Sequence, residues 1–198
     1  MASEPLLVIL RGAMGAGKST LLRSLAKVRA YRFYVLDADA AGAFHPSDAH
    51  GEHLKHDWPI EVKILALHAK IAVARGFNLL TDPGELLTRR EVDRFLRIAG
   101  RSRRDPRVVL IRLEVGPDAA VARKTKYSAR YVRASNLGWH PAPVSGEVVI
   151  ETDHMSPTQV RRVALTAIRD RVGPSYVCRR PRVRRFPKRP AKSAPKRA

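Results

Sequence analysis

Residues 12–19 read Gly-Ala-Met-Gly-Ala-Gly-Lys-Ser, which fills the pattern G-x-x-x-x-G-K-[ST]. Glycine at 12, 15 and 17 admits backbone conformations that a Cβ forbids. Successive N–H groups of such a loop turn inward on anionic oxygens, and the dipole of the helix that follows adds to the attraction. The backbone from Gly12 through Ala13, Met14, Gly15, Ala16 and Gly17 is therefore expected to wrap the phosphates of a nucleoside triphosphate, continuing into Lys18, Ser19 and Thr20. Lys18 is expected to reach the β/γ oxygens and the Ser19 hydroxyl to ligate Mg2+.

Acids follow where such a site needs them. Asp37-Ala38-Asp39 closes the second apolar run and Asp82 closes the third. One carboxylate of the first pair can orient the metal, while the other takes the proton of an attacking hydroxyl. Asp82 is expected to hold the metal through a shared water. Arg123, Arg130 and Arg133 lie in a basic segment suited to the charge of a transferring phosphoryl group. His45, His50, His53 and His56 match no zinc spacing and read as a polar loop. Trp58 and Trp139 read as packing residues.

The elements that must position these groups alternate. Apolar runs at 6–11, 31–36, 77–81, 108–113 and 147–151 predict strands, and helical periodicity appears at 18–29, 61–75 and 85–99. Pro117 opens a short helix expected to run on through residues 123–133. Ile64, Leu65, His68, Ile71 and Ala72 are expected on one buried helical face. Ser156-Pro157-Thr158-Gln159 predicts a capping box before a last helix. This order implies an α/β chain with the P-loop NTPase fold: a five-stranded parallel sheet with helices on both faces. Its ligand crevice lies at the carboxyl ends of the strands.

Asp37-Ala38-Asp39, then residues 40–44, then His45-Pro46 resemble the D-x-D-x5-H-P signature of zeta-toxin-type kinases. Gly76-Phe77-Asn78 with Asp82 resembles the same family's G-[FY]-N strand, which ends in an acid. Polynucleotide kinases, chloramphenicol phosphotransferases and gluconate or shikimate kinases share the plan. The resemblance implies ATP-dependent phosphorylation of a hydroxyl, with Asp39 as general base, Asp37 beside it at the metal, and lid arginines among Arg123, Arg130 and Arg133. Many relatives carry a basic residue after the aspartates, where this chain has Ala40, Ala41 and Gly42.

Charge bounds the rest. The chain of 198 residues carries a formal net charge of +20. Residues 179–197 hold ten Lys/Arg and no acid, interrupted by prolines. The division expected is a P-loop kinase domain over 1–175 and a disordered basic tail over 176–198. Such charge favours polyanions, so a nucleic acid or nucleotide-type acceptor is the leading expectation and nucleic acid an expected partner of the tail. A small-molecule kinase and a nucleic-acid-bound NTPase without kinase activity are the alternatives. No membrane span is expected, and the single Cys178 suits a reducing cytoplasm.

Overall fold

Every residue from Leu7 to Gly12 is buried, as a strand covered on both faces requires. The computed structural model describes residues 4–38, 58–84, 86–123, 127–138, 140–173 and 176. In chain order these form β1 (Leu7–Gly12), α1 (Lys18–Ala26), β2 (Tyr34–Asp37), α2 (Trp58–Ala74), β3 (Leu79–Asp82) and α3 (Arg89–Ile98). There follow β4 (Val108–Glu114), α4 (Pro117–Arg123), α5 (Ala129–Gly138), β5 (Val148–Glu151) and α6 (Pro157–Val172). The strands make one sheet in the order β2-β3-β1-β4-β5, and every neighbouring pair is parallel.

Strand alternation divides the core in two. Val8 and Leu10 of β1 face the layer that contains α1 and α6, where Leu22, Leu25, Ala164 and Ile168 pack. Leu7 and Ile9 face the layer of α2 and α3, with Leu65, Ala69, Val92 and Phe95. The expected helices on both faces are present. The capping boxes are local and self-consistent: Ser156 accepts from Gln159 N ahead of Pro157, and Thr88 accepts from Glu91 N at the start of α3.

Two expectations fail. The helix from Pro117 does not continue through residues 123–133. Tyr127 and Ser128 are not helical, and α5 starts afresh at Ala129, where Ser128 Oγ accepts from Tyr131 N as a new cap. On α2, His68 is exposed and Ile71 keeps 59% of its surface. The buried face is Leu65, Ala66, Ala69 and Ala72. Small residues let the helix approach the sheet closely, and this turns Ile71 outward.

Arg11 stands out inside β1. It is 1% exposed, and alternation points it, like Leu7 and Ile9, at the α2/α3 layer. Its register partner is Arg112 of β4. Glu147 joins the two: Oε2 pairs with Arg11 Nη1 at 2.5 Å and Oε1 with Arg112 Nε at 2.7 Å. Arg112 also pairs with Glu114. Arg11 spends its remaining donors on the carbonyls of Leu86 (2.9 Å), Leu87 (3.4 Å) and Ala142 (3.1 Å). Burial pulls this guanidinium below its usual pKa, and Glu147 pulls it back up.

Glu147→Ala leaves two buried cations facing each other. Its expected cost is about 3–5 kcal/mol, the scale for breaking a buried pair by removing one partner. Urea unfolding checks this, with Glu147→Gln, which keeps an acceptor, falling in between.

Candidate functional site

The carboxyl ends of the strands carry Gly12, Asp37, Asp82, Glu114 and Glu151. β1 runs straight into the glycine loop. Gly12 has φ 152°, and a Cβ there would sit 2.6 Å from the Leu113 carbonyl oxygen. Gly15 has φ 83°, and a Cβ there would meet Ala120 Cβ of α4 at 2.8 Å. Both are places where neighbouring backbone or helix has closed in on the loop.

Gly17, in the left-handed region, is the N-cap of α1. No side chain caps this helix and its first turn holds no acid. Among the described residues no side chain accepts from the first-turn N–H groups of α1, and no acid in that turn offsets the positive end of the helix dipole. α3 and α6 differ, because both have complete capping boxes. Lys18 Nζ donates to the Gly12 carbonyl at 2.8 Å, which draws the ammonium across the loop. Ser19 follows in the first turn, half-buried, and Thr20 is exposed. This donor set and curvature fit the phosphates of a nucleotide.

Asp37 and Asp82 are register partners at the ends of β2 and β3. Adjacent strands lie about 4.8 Å apart, so the two carboxylates share one small region. Alternation turns both away from Leu36 and Leu79, which face α2 and α3, and toward the side on which α1 packs. Asp82 is buried and accepts from Gly84 N at 3.2 Å. Hard oxygen donors beside the Ser19 helix suit Mg2+. Asp39 lies outside the described residues, as do His45, His50, His53, His56, Trp139, Cys178 and the basic segment 177–198. β2 itself ends at Asp37. Among the described residues no cluster of three or more metal-ligating side chains occurs.

The three arginines separate. Arg123, the last residue of α4, donates to Thr152 Oγ1 at 2.9 Å, to the carbonyls of Thr152 and Asp153, and to Gly15 O at 3.5 Å. It ties the turn between β5 and α6 to the glycine loop. Arg133 on α5 pairs with Asp118 of α4 at 2.5 Å. Arg130 is exposed one turn before it.

Sequence reasoning missed two residues that shape the loop. Asn136, 2% exposed on α5, donates to the carbonyls of Met14 (3.2 Å) and Val115 (3.3 Å). Thr152 donates to the Glu114 carbonyl at 2.8 Å and approaches Ala16 O at 3.4 Å. Their partners lie far along the chain, so no local pattern marks them. Arg11 did carry a signal, as a charge inside an otherwise apolar strand.

A family model described as an AAA domain matches residues 7–137. No curated protein matches the sequence. Among solved structures, a sugar kinase from Janibacter sp. HTCC2649 superposes with a TM-score of 0.60 at 18% identity, covering 83% of this chain and 94% of that one. A gluconokinase from Sinorhizobium meliloti superposes with a TM-score of 0.61 at 14% identity, covering 84% and 93% respectively. The fold is thus the P-loop fold expected from the order of elements.

Gly15→Ala and Gly17→Ala both impose a left-handed conformation on an alanine, costing about 1–2 kcal/mol each. Only the first also strikes Ala120, while the second opens on empty space. Gly15→Ala is expected to unfold at lower temperature than Gly17→Ala and to lose nucleotide affinity, with Ala120→Gly restoring part of that affinity. Thermal unfolding and calorimetric titration with nucleotide check the order.

Proposed function

This chain belongs to the AAA domain family, and we propose that it is an ATP- and Mg2+-dependent kinase acting on a hydroxyl of a small polyhydroxylated acceptor. The observation that carries this reading is the glycine loop with the unopposed N-terminus of α1, facing the Asp37–Asp82 pair across the end of the sheet. In it the backbone N–H groups of residues 13–19 and the Lys18 ammonium hold the phosphates. Ser19, Asp37 and Asp82 would hold Mg2+, which would supply charge neutralisation to the nucleotide phosphates.

Asp39 accepts the acceptor's hydroxyl proton. The oxygen then bonds to the γ-phosphorus as the bond from that phosphorus to the β-phosphate oxygen breaks, leaving ADP. The D-x-D-x5-H-P pattern, with its resemblance to zeta-toxin-type kinases, supports this role for Asp39. Arg130 and Arg133 ride on α5, which Asn136 tethers to the loop through Met14, so they are suited to meet charge on the transferring group. Arg123 is a positioning residue, because its donors are already spent on Thr152 Oγ1 and on the carbonyls of Thr152 and Asp153.

The likeness in fold to a sugar kinase and a gluconokinase supports the small acceptor. A nucleic acid or nucleotide acceptor, favoured by the net charge of +20, is the second reading. A screen with ATP labelled at the γ-phosphate, over sugars, sugar acids, nucleotides and strand ends, decides between them. Label found only in free phosphate, whatever the acceptor, would favour an NTPase instead.

Lys18→Ala is expected to slow transfer by about two to three decades, the scale of about 2–4 kcal/mol for one donor to developing charge. Transfer within about threefold of wild type would remove the loop from catalysis. Asp39→Asn is expected to abolish transfer with nucleotide affinity retained, whereas Asp37→Asn raises the Mg2+ concentration required. Mg2+ titrations of both variants check the division, and the opposite pattern exchanges the two roles.

A further inference from the structure

Helix α2 carries a second apolar stripe, on the side away from the sheet. Ile60, Ile64, Leu67, Ile71 and Ala74 are spaced alternately by four and three residues, the a/d period of a heptad. At 3.6 residues per turn all five fall within about 80° of helix surface. Leu65, Ala69 and Ala72, which pack on the sheet, lie on the other side. Ile60 keeps 54% of its surface exposed, Leu67 43% and Ile71 59%, while Ile64 is half-buried and Ala74 exposed. One exposed aliphatic side chain needs no explanation, but a row in heptad register does.

Charged side chains border the row. Lys63 and Lys70 stand on one flank, both exposed. Glu61, His68 and, just past the end of α2, Arg75 stand on the other. Neither lysine makes an ion pair or side-chain hydrogen bond among the described residues. The border thus holds three fixed cations against one acid. In heptad terms the lysines take g positions, and Glu61, His68 and Arg75 take e positions, the places that choose a helix's partner.

Width and charge together select what the stripe fits. A seam with two apolar positions in about every seven is narrow enough for one helix to fill, whereas a bilayer takes up a broad apolar face. A second copy of this chain would bring its own cations. Antiparallel packing sets g against g, so Lys63 and Lys70 of the two copies meet; parallel packing sets g against e, so Lys70 meets Arg75. Like charges so placed oppose association. Carboxylates at the borders of a partner helix would meet the lysines instead.

We propose that the outer face of α2 docks an acidic amphipathic helix of a partner protein. Ile60, Ile64, Leu67 and Ile71 take its apolar seam, and Lys63, Lys70 and Arg75 pair with carboxylates along its borders. Four aliphatic side chains fall short of the about 800 Å2 a side of a standard interface, so the contact is a weak, exchanging one whose selectivity comes from charge. This docking requires nothing of the glycine loop or of the acceptor.

The test uses the full chain and a fluorescein-labelled peptide of about three heptads, with Leu at a and d and Glu at e and g. Glutamates repel one another across a peptide homodimer, which leaves the peptide free to bind. Anisotropy is expected to report binding that weakens with salt, and the same peptide with Lys at e and g is expected to bind at least about tenfold more weakly. The double variant Leu67→Asp, Ile71→Asp is expected to lose at least about tenfold in affinity for the acidic peptide. Its thermal unfolding should match wild type, because both positions are exposed. The double variant Lys63→Glu, Lys70→Glu should exchange the preference and bind the lysine peptide more tightly. No binding of the acidic peptide, or equal affinity for the two peptides, overturns the proposal. Wild-type affinity for the acidic peptide in either double variant also overturns it. Dimerisation of the wild-type chain in analytical ultracentrifugation, lost in Leu67→Asp, Ile71→Asp, overturns it in favour of a second copy. Binding to phosphatidylserine vesicles that the same variant loses overturns it in favour of a membrane.

Discussion

Two arginines side by side in the core set the terms for the rest of the fold. Arg11 and Arg112 are register partners on neighbouring strands and point into the same layer. Unpaired, they would place two positive charges a strand's spacing apart in a region of low dielectric. Glu147 takes one guanidinium on each oxygen, and its Oε1 also accepts from Val144 N at 2.8 Å. The backbone carbonyls of Leu86, Leu87 and Ala142 take the remaining Arg11 donors. Segments that follow β3 and precede β5 are thus held to one point on β1.

That point is one residue before the glycine loop. The register that sets Arg11 against Arg112 also sets Gly12 against Leu113, whose carbonyl leaves no room for a Cβ. A slip of β1 by one residue would turn Arg11 into the opposite apolar layer, away from Arg112 and Glu147, and move the loop off its neighbour. Fixing the register therefore positions the cradle as well. Asn136 and Arg123 hold the loop from the other side, through the carbonyls of Met14 and Gly15.

What the sequence shows of this follows the range of the interactions. The glycine loop, the Ser156 capping box and the apolar strands are written within a few residues, and each appears in the structure where the sequence places it. The end of α4 is not so written, because residues 123–133 have helical periodicity and only the competing cap at Ser128 divides them. On α2 both rotations of the helix look apolar, and close approach of Ala66, Ala69 and Ala72 to the sheet chooses between them. Arg123 and Thr152 stand 29 residues apart, and Arg11 and Glu147 stand 136 apart. Partners at such separations are brought together by the topology alone.

Parallel topology also separates the two ways in which this molecule can attract anions. Helices that follow parallel strands start at the carboxyl edge and finish at the amino edge. Backbone N–H groups are therefore offered at the first edge, where the uncapped start of α1 stands beside Asp37 and Asp82. Backbone carbonyls end at the second edge, and there attraction must come from side chains strong enough to outweigh them. The cationic turns at residues 27–33, 75–78 and 99–107 and the anchoring of Tyr176 beside Arg107 and Asn78 lie at that second edge. A high net charge in such a fold is therefore a poor guide to what the crevice at the carboxyl edge binds, since the surplus at the turns stands a full strand length away from it. What the crevice binds has to be inferred from groups at the carboxyl edge.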